Sequence, residues 1–355
     1  MEIEPIRWSN GTLLLLDQTR LPMEQVTMEI GRYQDAVEAI SQMRVRGAPA
    51  IGVTAAYAMA LAAVQITANS GSVEKGEDRD QFLSQLRQAA EEIASARPTA
   101  VNLGWAVKKQ LDLAESVTST AQMGERLLQE AQRIHREDVA INRRMGGHGQ
   151  ELMPDGGAVL THCNTGALAT AGFGTALGVI RAGWESGKRF QVYNTETRPW
   201  LQGARLTSWE FQQLGIPSTL LVDSAAGMLL SQGKISCVIT GADRIAANGD
   251  TANKIGTYTL AVLAKENGVP FYIAAPTSTI DASLSSGDEI QIEERPSHEV
   301  YNFQGIPTAP PGIEAVNPSF DVTPNRYISG IVTEMGVARP PYQESLMLAV
   351  GSANA

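Results

Sequence analysis

From residue 158 onward, short apolar runs recur at 158–160, 190–193, 219–222, 235–239 and 271–274, with helix-patterned stretches between them. Strands that alternate with helices in this way imply right-handed βαβ units and a parallel, doubly wound sheet. No other feature of the chain constrains its fold as tightly.

The first half reads differently. Ala36, Ile40 and Met43 share one helical face, as do Leu83, Leu86, Ala90 and Ile93, which is the 3.6-residue period of amphipathic helices. A longer helix is expected over 121–145, with Leu127, Ala131, Ile134 and Ile141 on its buried stripe and Asp138 interrupting it. For Asp138 the plain reading is a carboxylate paired to Arg143 or Arg144. Near the start, apolar runs at 6–8 and 13–16 flank Asn10-Gly11, a pair suited to the two positive φ angles of a type I′ turn, so a small hairpin is expected. The fold class is therefore α/β: a helical N-terminal domain with a small β-hairpin over 1–150, then a Rossmann-like doubly wound parallel sheet over 151–355. Residues 69–80 form a polar linking loop, and the tail from 338 to 355 is expected to fray.

Composition narrows the function. At 355 residues the chain exceeds one ordinary core. A net charge of −10, from 28 basic and 38 acidic residues, argues against nucleic acid and against an anionic membrane as partner. The apolar stretch 48–64 is mainly alanine and includes Gly52 and Thr54, which reads as a buried helix rather than a span. The start has neither a basic n-region nor an apolar h-region, so a cytoplasmic chain is expected. Two cysteines and four scattered histidines give no disulfide framework and no metal spacing. The glycines of 172–178 have the wrong spacing for a dinucleotide fingerprint, and no stretch matches a P-loop, so no cofactor, neither NAD nor ATP, is expected.

In an open parallel sheet, ligands bind beyond the carboxyl ends of the strands. The segments that come after the apolar runs are HCNTG (162–166), NTETRPWLQG (194–203), DSAAG (223–227), GADRIAANGDTANK (241–254) and APTSTID (275–281), all rich in reactive side chains. Cys163 opens the first, and the stretch after it is expected to be helical. A thiol at that helix N-terminus would be a base or nucleophile; otherwise it is a small apolar filler, as Cys237 inside ISCVI reads. Asp243 either caps a turn or, dehydrated against apolar walls, serves as a general acid. A helix is expected from about Thr251, with Asn253 and Lys254 in its first turn. A lysine there is either solvated or faces an anion held by the backbone amides. In the first domain, Gly47 would let a ligand approach the backbone, Arg46 can fork onto phosphate, Pro49 suits the start of a helix, and Arg97 before Pro98 is a second cationic candidate.

Taken together, LLDQT (15–19), RGAPAIG (46–52), RPTAVNL (97–103), THCNTG (161–166), ETRPWLQGARLT (196–207) and TGADRIAANGDTANKIGTY (240–258) resemble the 5-methylthioribose-1-phosphate isomerase family, aldose–ketose isomerases of methionine salvage. The resemblance runs from about residue 13 to 337, in order. It implies a helical domain before a Rossmann-like one, a homodimer, a sugar-phosphate substrate and no cofactor. By motif it places the catalytic residues on Cys163 and Asp243, and substrate contacts on Arg46, Gly47, Ala48, Arg97, Gln202, Asn253 and Lys254. The same wider family includes a ribose-1,5-bisphosphate isomerase and non-catalytic regulatory subunits of a translation-initiation guanine-nucleotide exchange factor. Those subunits lack the full HCNTG and GADRIAANGDTANKIG set, so its presence favours an enzyme.

Overall fold

The computed structural model describes residues 2–69, 77–98, 100–303 and 305–353. They divide into two compact units, one comprising 2–140 with 167–172, the other 141–166 with 173–353. Most of the polar loop expected over 69–80 lies outside the described residues.

The N-terminal unit begins with β1 (Ile6–Ser9) and β2 (Thr12–Leu16), paired antiparallel. Asn10 and Gly11 between them both have positive φ, 50° and 80°, as the hairpin signal requires. A third strand, β3 (Thr27–Ile30), joins the free edge of β2; its four residues alternate too weakly to be read from sequence. Four helices come next: α1 (Tyr33–Ser41), α2 (Ala48–Asn69), α3 (Glu77–Ser95) and α4 (Val101–Ser116). Met43 is not on the face of α1, because the chain turns left-handed there at φ 58°. Leu83, Leu86, Ala90 and Ile93 of α3 are buried as their spacing implies, each large one contributing roughly 1.5–3 kcal/mol. Among the described residues, α2 is the one helix long and apolar enough to cross a bilayer, and 83% of that window is covered by protein. Gly52 lets α4 come close, since a Cβ there would stand 3.0 Å from the carbonyl oxygen of Asn102.

The long helix α5 (Met123–Gly149) passes from one unit into the other. Leu127, Ala131 and Ile134 are buried in the first unit, while Met145 lies in a core of the second, which is why 141–150 pack with the C-terminal unit. The glycines at its end do not stop the helix. A Cβ on Gly146 would meet the Phe173 ring at 2.7 Å and one on Gly149 would meet Val179 at 2.6 Å, so both serve close packing.

The C-terminal unit holds β4 (Ala158–Thr161), α6 (Ala176–Glu185), β5 (Gln191–Thr195), α7 (Ser208–Leu214), β6 (Ser218–Leu221), α8 (Ala226–Ser231) and β7 (Cys237–Thr240). After them come β8 (Arg244–Ala246), β9 (Thr251–Lys254), α9 (Thr257–Glu266), β10 (Phe271–Ala274), β11 (Ile280–Asp281), α10 (His298–Tyr301), β12 (Asn302–Phe303), β13 (Ile306–Pro307), β14 (Phe320–Thr323), β15 (Gly330–Thr333), β16 (Gly336–Ala338) and α11 (Tyr342–Ala353). The main sheet is seven-stranded in the order β16-β15-β10-β7-β4-β5-β6, parallel throughout except at β16. Its central strands are covered on both faces with a period of two: Leu160, Val238 and Ile331 enter one core, Val159, Ile239 and Val332 the other. As far as Ala353 the tail does not fray, because α11 buries Tyr342 and Leu346 in the first of these cores.

Candidate active site

From β4 the chain runs outward through β5 and β6; from β7 it runs the other way through β10 and β15. The crevice of a doubly wound sheet opens where this direction reverses, here between β4 and β7. Those strands are direct neighbours, with Thr161 opposite Ile239. Cys163 comes two residues after β4 and Asp243 three residues after β7, so both stand at the switch point.

Cys163 is not at a helix N-terminus. The stretch after HCNTG leaves the unit at Ala167, returns at Phe173, and enters α6 only at Ala176. Gly172, Phe173 and Gly174 all have positive φ, which no α-helix tolerates, and Gly166 bridges to Gly174 at the base of the excursion. Cys163 itself is left-handed, at φ 62°, and buried. For a residue with a Cβ that conformation costs roughly 1–2 kcal/mol. Neighbouring loops offset the cost. The Cys163 amide donates to Thr197 Oγ1 at 2.9 Å, and Thr207 Oγ1 donates to the Cys163 carbonyl at 2.5 Å. At about 1 kcal/mol per hydrogen bond, the two together balance the strain.

The residues around this pair are fixed in turn. Asn164 Nδ2 donates to Glu210 Oε1 at 2.7 Å and to Thr207 Oγ1 at 3.3 Å. Glu210 is fully buried on α7 and presses on Gly166, where any Cβ would overlap its carboxylate. Asp223 accepts the amides of Thr197 and Arg198, each at 2.8 Å, and so anchors the loop after β5. His162 points the other way. Its Nε2 lies 2.9 Å from the Ile255 carbonyl, which can only accept, so Nε2 carries the proton and Nδ1 accepts from Thr195 Oγ1 at 2.6 Å. Burial pushes the His162 pKa down, against the pull of Asp223, and keeps the ring neutral.

Gln202 is buried at the start of a π-helical turn, 203–207, that runs directly into α7. Its Oε1 meets no hydrogen-bond partner among the described residues. An unsatisfied buried carbonyl costs about 1–3 kcal/mol, and this oxygen is open to a further hydrogen bond. The wide turn sits hard against β5, since a Cβ on Gly203 would overlap the Thr195 carbonyl oxygen.

Asp243 is exposed, so the expected dehydration by protein walls is absent; its amide donates to the Ala252 carbonyl at 2.9 Å. Asn253 and Lys254 are on a strand, not in the first turn of a helix. Asn248-Gly249 closes a hairpin between β8 and β9, a turn pair overlooked because the apolar runs around it are short. Asn253 Nδ2 donates to Thr257 Oγ1 at 2.9 Å. Lys254 Nζ donates to the Ser319 carbonyl at 3.0 Å and lies over the Phe320 ring. The helix begins at Thr257, and its end is capped by Asp321, which the sequence reading missed: a lone aspartate within β14 carries no local signal. Thr197 and Thr207 lie within segments the sequence singles out, 194–203 and 196–207, without standing out as site residues there, and Glu210 lacks a local signal as Asp321 does.

In the N-terminal unit, Arg46 is buried, and Gly47 and Ala48 open α2. Gly47 has φ 92°, and the space its Cβ would fill is taken by the Ala169 backbone rather than by room for a ligand. Arg97 precedes α4, its carbonyl accepting the Ala100 amide. The Gly52–Asn102 approach sets the N-termini of α2 and α4 side by side, so Arg46–Ala48 and Arg97 belong to one end of that helix pair, where both dipoles favour an anion. Asp138 accepts the Ala171 amide at 2.8 Å and Gln18 Nε2 donates to the Leu168 carbonyl at 2.7 Å, which ties 167–172 to this unit.

A model of the initiation factor 2 subunit family matches residues 44–340. The chain belongs to that family. Within it, the chain is 54% identical to a methylthioribose-1-phosphate isomerase of Pelotomaculum thermopropionicum over 99% of its own length and 95% of the relative's. It is 42% identical to the 5-methylthioribose 1-phosphate isomerase of Pyrococcus horikoshii OT3, with a TM-score of 0.91 over 98% of this chain and 96% of that one. A chain of A. fulgidus described as translation initiation factor eIF-2B, subunit delta, is 41% identical with a TM-score of 0.88, covering 98% and 99%.

Proposed function

We propose that this family member is an aldose–ketose isomerase that converts 5-methylthioribose 1-phosphate to 5-methylthioribulose 1-phosphate in methionine salvage. The observation that carries the reading is the placing of Cys163 and Asp243 just beyond the C-terminal ends of the neighbouring strands β4 and β7, in a chain 54% identical to an isomerase of that name over nearly its whole length.

The anomeric oxygen of this substrate is phosphorylated, so the ring cannot open to a free aldehyde. Cys163, as thiolate, removes the proton from C2; the C1–C2 double bond forms, the bond from C1 to the ring oxygen breaks, and Asp243 protonates that oxygen. The resulting enol phosphate loses its O2 proton to Asp243 while Cys163 returns a proton to C1, which leaves the ketose and restores both groups. Because Asp243 is exposed in the chain itself, the bound sugar is what covers it. Gln202 Oε1 accepts a substrate hydroxyl, and Asn253 and Lys254 belong to the same C-terminal set. Arg46, Gly47, Ala48 and Arg97 are assigned to the phosphate, on the strength of the paired helix N-termini. The homodimer expected from the resemblance and the cytoplasmic location expected from the sequence complete the proposal.

A direct C2-to-C1 hydride shift would use the same residues for hydroxyl protons alone. Deuterium at C2 separates the two: washout to water supports the enol, and full retention at C1 sinks it. The A. fulgidus relative motivates a second reading, a non-catalytic subunit that binds a macromolecular partner. A turnover assay with methylthioribose 1-phosphate beside ribose 1,5-bisphosphate and ribose 1-phosphate decides among the isomerases and the scaffold. The scaffold reading requires all three sugars to remain unchanged.

A further inference from the structure

Cys163 and Thr197 are both left-handed, at φ 62° and 63°, and they are bonded to each other across the ends of adjacent strands, Cys163 amide to Thr197 Oγ1. Neither conformation is one that a residue with a Cβ adopts unaided. Thr197 is set by Asp223, which accepts its amide, and the Cys163 carbonyl is held from the opposite side by Thr207 Oγ1. Thr207 reaches that position because the turn 203–207 is π-helical and Gly203 lies flush on the end of β5. Both backbone groups of one strained residue are therefore gripped by hydroxyls from one neighbouring segment.

We propose that Thr197 and Thr207 are positioning residues for the isomerisation: their hydroxyls lock the Cys163 backbone in the left-handed form and so fix where its thiol stands at the end of β4. The inference rests on Cys163 handling the C2 proton. With either hydroxyl gone, φ at Cys163 relaxes toward negative values, the Cα–Cβ bond swings, and the sulfur leaves its place. A displacement of about 1 Å at a reacting atom is enough for a loss on the order of 10²-fold in rate.

The test uses the full chain and measures kcat, KM and the C2-deuterium isotope effect for Thr197→Val, Thr207→Val, Thr197→Ser, Thr207→Ser and Cys163→Ala. The Val variants are expected to lose about 10²-fold in kcat with KM within about threefold of the parent, and to show a larger isotope effect, because proton removal has become the slow step. The Ser variants, which keep the hydroxyl, are expected to recover most of the rate. Wild-type kcat in folded Val variants overturns the positioning role while leaving Cys163 in place as the base. Wild-type turnover in Cys163→Ala overturns the assignment of Cys163 and the positioning role with it. Should Thr207→Val fail to fold, since Thr207 also receives Asn164 Nδ2, the Thr197 pair of variants decides by itself.

Discussion

The carboxylate of Asp321 accepts the amide of Gly256 at 2.7 Å, and its other oxygen accepts that of Tyr258 at 3.0 Å. A side chain from β14 thus closes the N-terminus of α9 and holds the turn whose Ile255 carbonyl receives His162. Burial pushes its pKa from 3.8 up to about 6, against the two amides and Lys254, which favour the charged form. An acid with a higher pKa in the folded chain binds more protons folded than unfolded, so its protonation favours the fold. The gain is complete below about pH 4 and lost as pH rises through about 6. Relative to Asp321→Asn, the parent is expected to gain on the order of 2 kcal/mol of stability between pH 7 and pH 4. Parallel denaturation curves for the two proteins across that range would contradict this.

Gly47 cannot carry a side chain. Its φ of 92° disfavours one, and the Ala169 backbone occupies the Cβ position. Gly47→Ala is expected to destabilise the chain by about 2 kcal/mol or more, from strain and from displacement of 167–172. Thermal unfolding of the variant measures it, and an unchanged Tm would show that the two segments move apart freely.

The two cysteines should separate cleanly in function. Cys237 lies within β7, where burial pushes its thiol up to about 12, so Cys237→Ala is expected to leave kcat near the parent value. Cys163→Ala and Asp243→Asn should each lower kcat by about 10²–10⁴-fold, the usual worth of a positioned acid or base. Equal effects at both cysteines would argue for a structural role at each.

Gln202 sets stability against binding. Gln202→Leu removes the unsatisfied Oε1 and is expected to raise stability by about 1 kcal/mol while raising KM roughly tenfold, the equivalent of about one ligand hydrogen bond. A calorimetric scan and a saturation curve on the same preparation check both halves. A lower Tm with unchanged KM would make the amide structural.

Much of the architecture was legible before any coordinates. The runs at 158–160 and 271–274 became β4 and β10, and Asn10-Gly11 became the turn of the first hairpin, because periodicity and turn chemistry act over a few residues. Segments beside the site were read wrongly. Thr251–Lys254 is a strand because β8 and, more than sixty residues later, β14 pair with it, and Ala167–Gly172 holds only a 3-10 turn at Ala167–Ala169 rather than an α-helix, because it packs with the N-terminal unit.

Sequence alone determined which candidate residues come after which apolar runs, since local pattern sets where a run stops and which polar side chains come next. Tertiary structure alone decided the left-handed turn at Cys163, the exposure of Asp243 and the cap by Asp321. The turn and the cap depend on partners remote in the chain, the hydroxyls of Thr197 and Thr207 and the two amides at the start of α9, and the exposure of Asp243 depends on no distant segment having folded over it. Such contacts form only when the sheet assembles, and no window of neighbouring residues contains them.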